Sequence, residues 1–222
     1  MALFNENKFD INTASTETVS FEKSEHKWSL YMKDITLKQS FDGLFPKIFN
    51  PKNEIYFFII CWDYSGKAPF IYPPKDVDPE SFKIVIKKNK IHQFGGDGLQ
   101  IWPYSNVVGT LNTAIILMED DTDIRNAGKT LSDISKAVNK SKLFELITAV
   151  ASNPATITGV AIAKALSELT GLVGSIMSKN KNDYINLFQG SYGVENHRII
   201  EKKPYPYKNA QAEMNIELIV GN

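Results

Sequence analysis

From residue 18 to about residue 118 the apolar positions recur with a period near two, and the 3.6-residue period of a helix is hard to find. Trp28, Leu30 and Met32 alternate with Ser29, Tyr31 and Lys33, after which Ile35 and Leu37 take the opposite parity. One extra residue near Lys33 or Asp34, a bulge or a break between strands, accounts for that flip. Ile55 to Trp62 is apolar throughout, the pattern of a central strand covered on both faces. Phe82, Ile84 and Ile86 alternate with Lys83, Val85 and Lys87, and Lys88 and Lys90 follow, as expected of a solvated, lysine-protected edge. The prolines between Ser65 and Pro79 predict a loop around Phe70, Ile71 and Tyr72. A second loop is expected at Phe94 to Gly98, and another long apolar run covers Val107 to Met118.

After Glu119 the period changes. Ile124, Ala127, Leu131, Ile134 and Val138 share one helical face, predicting a helix over roughly 122–139. Leu143, Leu146, Ile147 and Val150 make a second short one, and Asn153-Pro154 reads as a cap and first residue of a third, which runs to about Ser178. Along that third helix Gly159, Ala163, Ser167, Gly171 and Ser175 recur every four residues and form a ridge of small side chains, which another backbone can approach closely. Its only charges are Lys164 and Glu168, and twenty-five residues at ~1.5 Å each reach about 37 Å, enough to cross a bilayer. Alternation returns after residue 180 in Tyr184 to Tyr192 and in Met214 to Val220, with an extended Pro204-Tyr205-Pro206-Tyr207 between them.

The expected fold is therefore mainly β with a helical insertion (α+β). Strands from both ends of the chain build one antiparallel β-sandwich, and two or three helices (about 122–178) pack outside it. Residues 1–17, rich in Asn, Thr, Ser and Glu, read as a mobile arm, and 18–222 as a single domain. A sandwich with acidic loops at one end resembles lipid-binding C2-type modules in architecture, and no site residue is carried across on that likeness.

Composition narrows the chemistry. With 43% hydrophobic and 23% charged residues the chain is neither disordered nor collagen-like. Twenty-five basic residues balance twenty-five acidic ones, so no long-range field draws it to nucleic acid or to an anionic membrane. The start of the chain lacks a basic region followed by an apolar run, which predicts cytoplasmic synthesis without a signal peptide and leaves leaderless release or injection open. Cys61 is the single cysteine and lies in the most apolar strand, where burial makes it a poor nucleophile. His26, His92 and His197 have no partner at ligand spacing and read as surface or turn histidines. Gly128-Lys129-Thr130 resembles the end of a phosphate loop, but Asp123 stands where its first glycine belongs.

Two sets of residues remain as site candidates. Asp63, Asp97, Asp120, Asp121 and Asp123 end strands or lie in loops, and oxygen ligands gathered at one rim would suit calcium; no other cofactor is expected. Tyr64, Phe70, Tyr72, Trp102 and Tyr104 sit in or beside Pro-containing loops and are the candidate partner-binding aromatics. With no catalytic constellation legible, the expected function is a non-enzymatic interaction protein. It contacts a protein or a surface through its loops and docks or self-associates through the helical insert. The alternative is a leaderless membrane-active toxin or effector whose 154–178 helix inserts in lipid. A carboxylate-based hydrolase is a third class.

Overall fold

The computed structural model describes residues 21–39, 52–74, 82–119 and 184–222, with nine isolated positions between 133 and 175. Among the described residues there are ten strands: β1 Lys27–Leu37, β2 Lys52–Trp62, β3 Phe70–Tyr72, β4 Ile84–Lys87, β5 Ile91–Gln93, β6 Leu99–Ser105, β7 Thr110–Glu119, β8 Tyr184–Gly193, β9 Glu201–Lys208 and β10 Ala212–Gly221. They form two five-stranded sheets. In the first, β1 lies between β10 and the short strands β5 and β6, and β9 closes the far edge of β10. In the second, β2 carries β3 and β4 on one side and β7 on the other, and β8 is the outer strand. Every pairing is antiparallel.

Both ends of the described chain contribute to each sheet, since β1 pairs with β10 along its length and β7 pairs with β8. The parity flip in β1 is a register shift between Met32 and Asp34, which keeps Met32 and Ile35 both facing inward. The opposite side of that bulge is tight. Gly98, at φ +100°, lies where a Cβ would sit 2.6 Å from the Met32 carbonyl oxygen, so only glycine fits.

One hydrophobic core lies between the sheets. Trp28, Leu30, Met32 and Ile35 of β1 and Met214, Ile216, Leu218 and Val220 of β10 face Phe57, Ile59 and Cys61 of β2 and Leu111, Ile115 and Leu117 of β7. Cys61 is fully buried, and burial pushes its thiol far above the ordinary range, in keeping with a packing role.

Three expectations are corrected. First, among the described residues the fold is two antiparallel sheets and one short 3₁₀ turn, Val194–Asn196, and no α-helix packs outside the sandwich. Asp133, Lys136, Lys142, Glu145, Ser167, Glu168, Gly171 and Ser175 have helical backbone, but these isolated positions make up no packed element; the rest of 122–178, like the arm 1–17, lies outside the described residues. Second, Phe70–Tyr72 is not loop but strand, paired with Ile59 to Cys61. The prolines that flank it limit the strand to three residues without preventing it. Third, of the two readings surface or turn, His197 takes the turn, closing Val194–Asn196, but it is buried there and not at the surface.

Candidate functional site

The chain passes from the second sheet to the first through Val194–Asn196 and the residues that follow, and this crossing carries a buried histidine, His197. His197 is 3% exposed, and both of its ring nitrogens are engaged. Nδ1 lies 2.5 Å from Glu201 Oε1, and Nε2 lies 2.9 Å from the Tyr205 hydroxyl. Nδ1–H donated to the carboxylate leaves Nε2 to accept the phenol proton, so one tautomer satisfies the ring. The ring stands edge-on to Trp28, centroids 5.4 Å apart, which fills its remaining surroundings with apolar surface.

A second polar group lies deeper. The Tyr207 hydroxyl, carried by β9, meets the Tyr192 hydroxyl of β8 at 2.7 Å and Thr113 Oγ1 of β7 at 3.2 Å. It reaches across the gap between sheets because Gly190 leaves room; a Cβ there would lie 1.7 Å from the Tyr207 oxygen. Burial, first among the causes, holds both Tyr192 and Tyr207 well above the ordinary phenol range, and each also lies near the other's hydroxyl. Neutral, hydrogen-bonded and closed off from solvent, these groups stitch the sheets together.

This closed base carries an open turn. Val194 N–H donates to the Gly109 carbonyl, His197 N–H donates to the Val194 carbonyl, and Arg198 Nη2 donates to Glu22 Oε2 at 2.9 Å. The next two residues, Ile199 and Ile200, are 69% and 58% exposed. Glu201 then starts β9 opposite Val220, so Ile200 stands beside the end of β10. A pinned turn thus holds two aliphatic side chains in water at one end of the sandwich.

The aromatic candidates divide. Tyr64 and Trp102 are buried, so they are corrected from recognition surface to core; the Tyr64 ring packs edge-on to Phe21, and Trp102 lies in the central cluster. Phe70 and Tyr72 on β3 are half-buried against the core, with Tyr72 edge-on to Phe82. Tyr104 alone is exposed, at 42%, where its hydroxyl donates to the Asn222 carbonyl and Lys27 Nζ lies 5.6 Å from its ring centre.

The two acidic candidates among the described residues, Asp63 and Asp97, are not brought together in a metal-holding group. Asp63 is buried, with Oδ1 accepting from Ser65 N–H and Ser65 Oγ–H and Oδ2 accepting from Val108 N–H, so the carboxylate closes a turn and ties β2 to the start of β7. Asp97 lies exposed in the glycine loop, and Asp120, Asp121 and Asp123 fall outside the described residues. Among the described residues no group of three or more His, Cys, Asp or Glu side chains is placed to hold a metal ion. Of the small ridge, Ser167, Gly171 and Ser175 are exposed, while Gly159 and Ala163 lie outside the described residues. No helix among the described residues is long and apolar enough to cross a membrane.

No family model matches the chain, and no curated protein does. Among solved structures it is similar to human GIVD cytosolic phospholipase A2, at a TM-score of 0.33 and 8% identity, over 90% of this chain and 18% of that one. A likeness that slight carries neither fold nor activity across.

Proposed function

We propose that the protein is a non-enzymatic β-sandwich that acts by contact, with the Arg198–Ile200 turn as its contact surface. The observation that carries this reading is the pair Ile199 and Ile200, adjacent and exposed on a turn whose base is fixed by His197, Glu201 and Tyr205. Scattered single apolar side chains are ordinary on a protein surface. Val85, Ile91 and Tyr104, the other exposed large hydrophobics among the described residues, are of that scattered kind, each on a different strand. A rigid base also lowers the ordering cost of binding, because the turn is already held before a partner arrives.

The test is a photocrosslinking residue at position 199, with the same residue at Val85 as control, in the full chain at cellular concentration. A discrete adduct from 199 and none from 85 is the expected result. Equal labelling from both positions removes this reading.

A further inference from the structure

We infer that Tyr205 is a redox-active tyrosine, which gives one electron to an oxidant of the peroxyl-radical class arriving from solution while its phenol proton passes to His197. This goes beyond the contact reading and stands independently of it. The geometry is a three-part relay. The Tyr205 hydroxyl donates to His197 Nε2 at 2.9 Å, and His197 Nδ1–H donates to Glu201 Oε1 at 2.5 Å. Removing an electron from a phenol makes its proton strongly acidic, and unless a base takes that proton a charged ring is left among apolar neighbours. His197 is such a base, already hydrogen-bonded and held in the accepting tautomer. The imidazolium it becomes is not an isolated buried charge, because the Glu201 carboxylate pairs with it.

The surroundings select Tyr205 over the other buried aromatics. Trp28 and Trp102 lie in the core cluster with no acceptor for Nε1–H among the described residues. An oxidised indole settles by releasing that proton, so an electron vacancy on either ring is passed on. Trp28 stands edge-on to His197 at 5.4 Å and Tyr192 edge-on to Tyr205 at 4.9 Å, so ring contacts lead to the relay from two sides. The Tyr192 and Tyr207 hydroxyls meet each other, and a hydroxyl is a far weaker base than imidazole. Lys203 Nζ lies 5.6 Å from the Tyr205 ring centre. That cation penalises a charged ring but not a neutral phenoxyl, so electron and proton leave together. Tyr205 sits on the outer strand β9 and is 5% exposed, so an oxidant at the surface reaches it by tunnelling without entering the core. In the balanced step the Tyr205 O–H bond breaks and a His197 Nε2–H bond forms. The electron reduces the peroxyl radical to its anion, which water protonates to the hydroperoxide, leaving hydroxide.

The experiment is pulse radiolysis of the full chain with the trichloromethylperoxyl radical as oxidant, followed by phenoxyl and indolyl absorbance. A phenoxyl signal that Tyr205→Phe abolishes, and that Tyr104→Phe, Tyr192→Phe and Tyr207→Phe retain, is the expected result. In Tyr205→Phe the tryptophan-radical absorbance should outlast that of the wild type. His197→Asn should slow phenoxyl formation ~100-fold or more, the usual worth of a positioned base. Glu201→Gln keeps an acceptor for Nδ1–H but removes the charge, so it should slow formation by a smaller factor with the fold intact by circular dichroism. Formation in the wild type should also be slower in heavy water, a sensitivity that a merely structural hydrogen bond does not confer. If the wild type forms no phenoxyl, if the signal survives Tyr205→Phe, or if folded Glu201→Gln forms it as fast as the wild type, the proposal is overturned.

Discussion

The two sheets share one core but differ on their outward faces. On the first sheet that face is wet and ionic: Lys33 pairs with Glu217, Lys38 and Lys208 with Glu213, and Asn215 donates to Asp34. On the second it is apolar and closed to water. Tyr56, Phe58, Ile60 and Trp62 of β2 stand opposite Met118, Ile116, Ala114 and Asn112 of β7, and all eight are no more than 4% exposed. What differs is the number of faces each strand must bury, and the sequence pattern follows from it: β1 and β10 alternate, while β2 and β7 are nearly uninterrupted apolar runs.

The sharpest way to break this contrast is a matched pair of truncations. Phe58→Ala, on the closed face, should cost about 3–5 kcal/mol, comparable with Phe57→Ala in the central core. Tyr31→Ala, facing outward from β1 and half-exposed, should cost no more than about 1 kcal/mol, since it gives up little buried area and one hydrogen bond from Gln100. Urea denaturation measures both. A small loss at Phe58 would mean that the outer face of the second sheet is not packed.

A second test lies where the sheets meet. Gly190→Ala puts a methyl group onto the Tyr207 hydroxyl and should cost about 2–3 kcal/mol. Tyr207→Phe removes the obstructing oxygen, so the double variant should lose clearly less than the two single losses together. Strict additivity would show that the glycine is not there to admit this tyrosine.

Much of this architecture was legible because the sheet period is two and burial has a sign. The bulge in β1, the central place of β2 and the lysine-guarded edge at β4 each follow from parity or its absence. β3 was not legible, since prolines around a three-residue strand look the same as prolines in a loop. The polar crossing was also missed. His197 has its partners at Glu201 and Tyr205, and a signal existed: Glu201, Tyr205 and Tyr207 share one face of an extended segment whose other face is Lys202, Pro204, Pro206 and Lys208. Loop residence does not decide exposure either, since Tyr64 and Trp102 are buried while Ile199 and Ile200 are exposed. Exposure is settled by the whole tertiary arrangement, and a dipeptide of isoleucines beside a strand carries no local mark of it.

Alkaline pH sharpens the comparison from the inner side. Burial, and then the neighbouring Glu201 carboxylate, pushes the Tyr205 hydroxyl up to about 12; burial alone does the same for Tyr72. A phenol whose folded value is raised favours the fold in its neutral form. Its contribution is complete below the unfolded value of ~10 and is lost as pH rises through about 12. Stability should therefore fall between pH about 10 and 12, with tyrosinate absorbance rising in step. Tyr205→Phe should cost about 1 kcal/mol at neutral pH, where His197 loses a partner, and should flatten the alkaline decline. A decline of unchanged slope would assign the loss to other groups.

The smallest effect belongs to the wet face. Glu213 is held below the ordinary carboxylate range first by its hydrogen bond from Lys38, at 3.0 Å, with Lys208 adding attraction at 3.6 Å. A lowered folded value means that the stabilisation is present above the ordinary carboxylate range and is lost as pH falls through the depressed value. Both partners are well exposed, so water and salt screen most of it. Lys38→Met should return the Glu213 titration toward normal in a carbon-detected NMR titration while costing no more than about 0.5 kcal/mol. Adding salt should erase even that, whereas the loss at Phe58 should persist, because one is Coulombic and the other is the removal of apolar surface from water. If instead Lys38→Met cost as much as Phe58→Ala, the ionic face would hold the fold together as firmly as the dry one, and the two sheets would not differ in the way their sequences say they do.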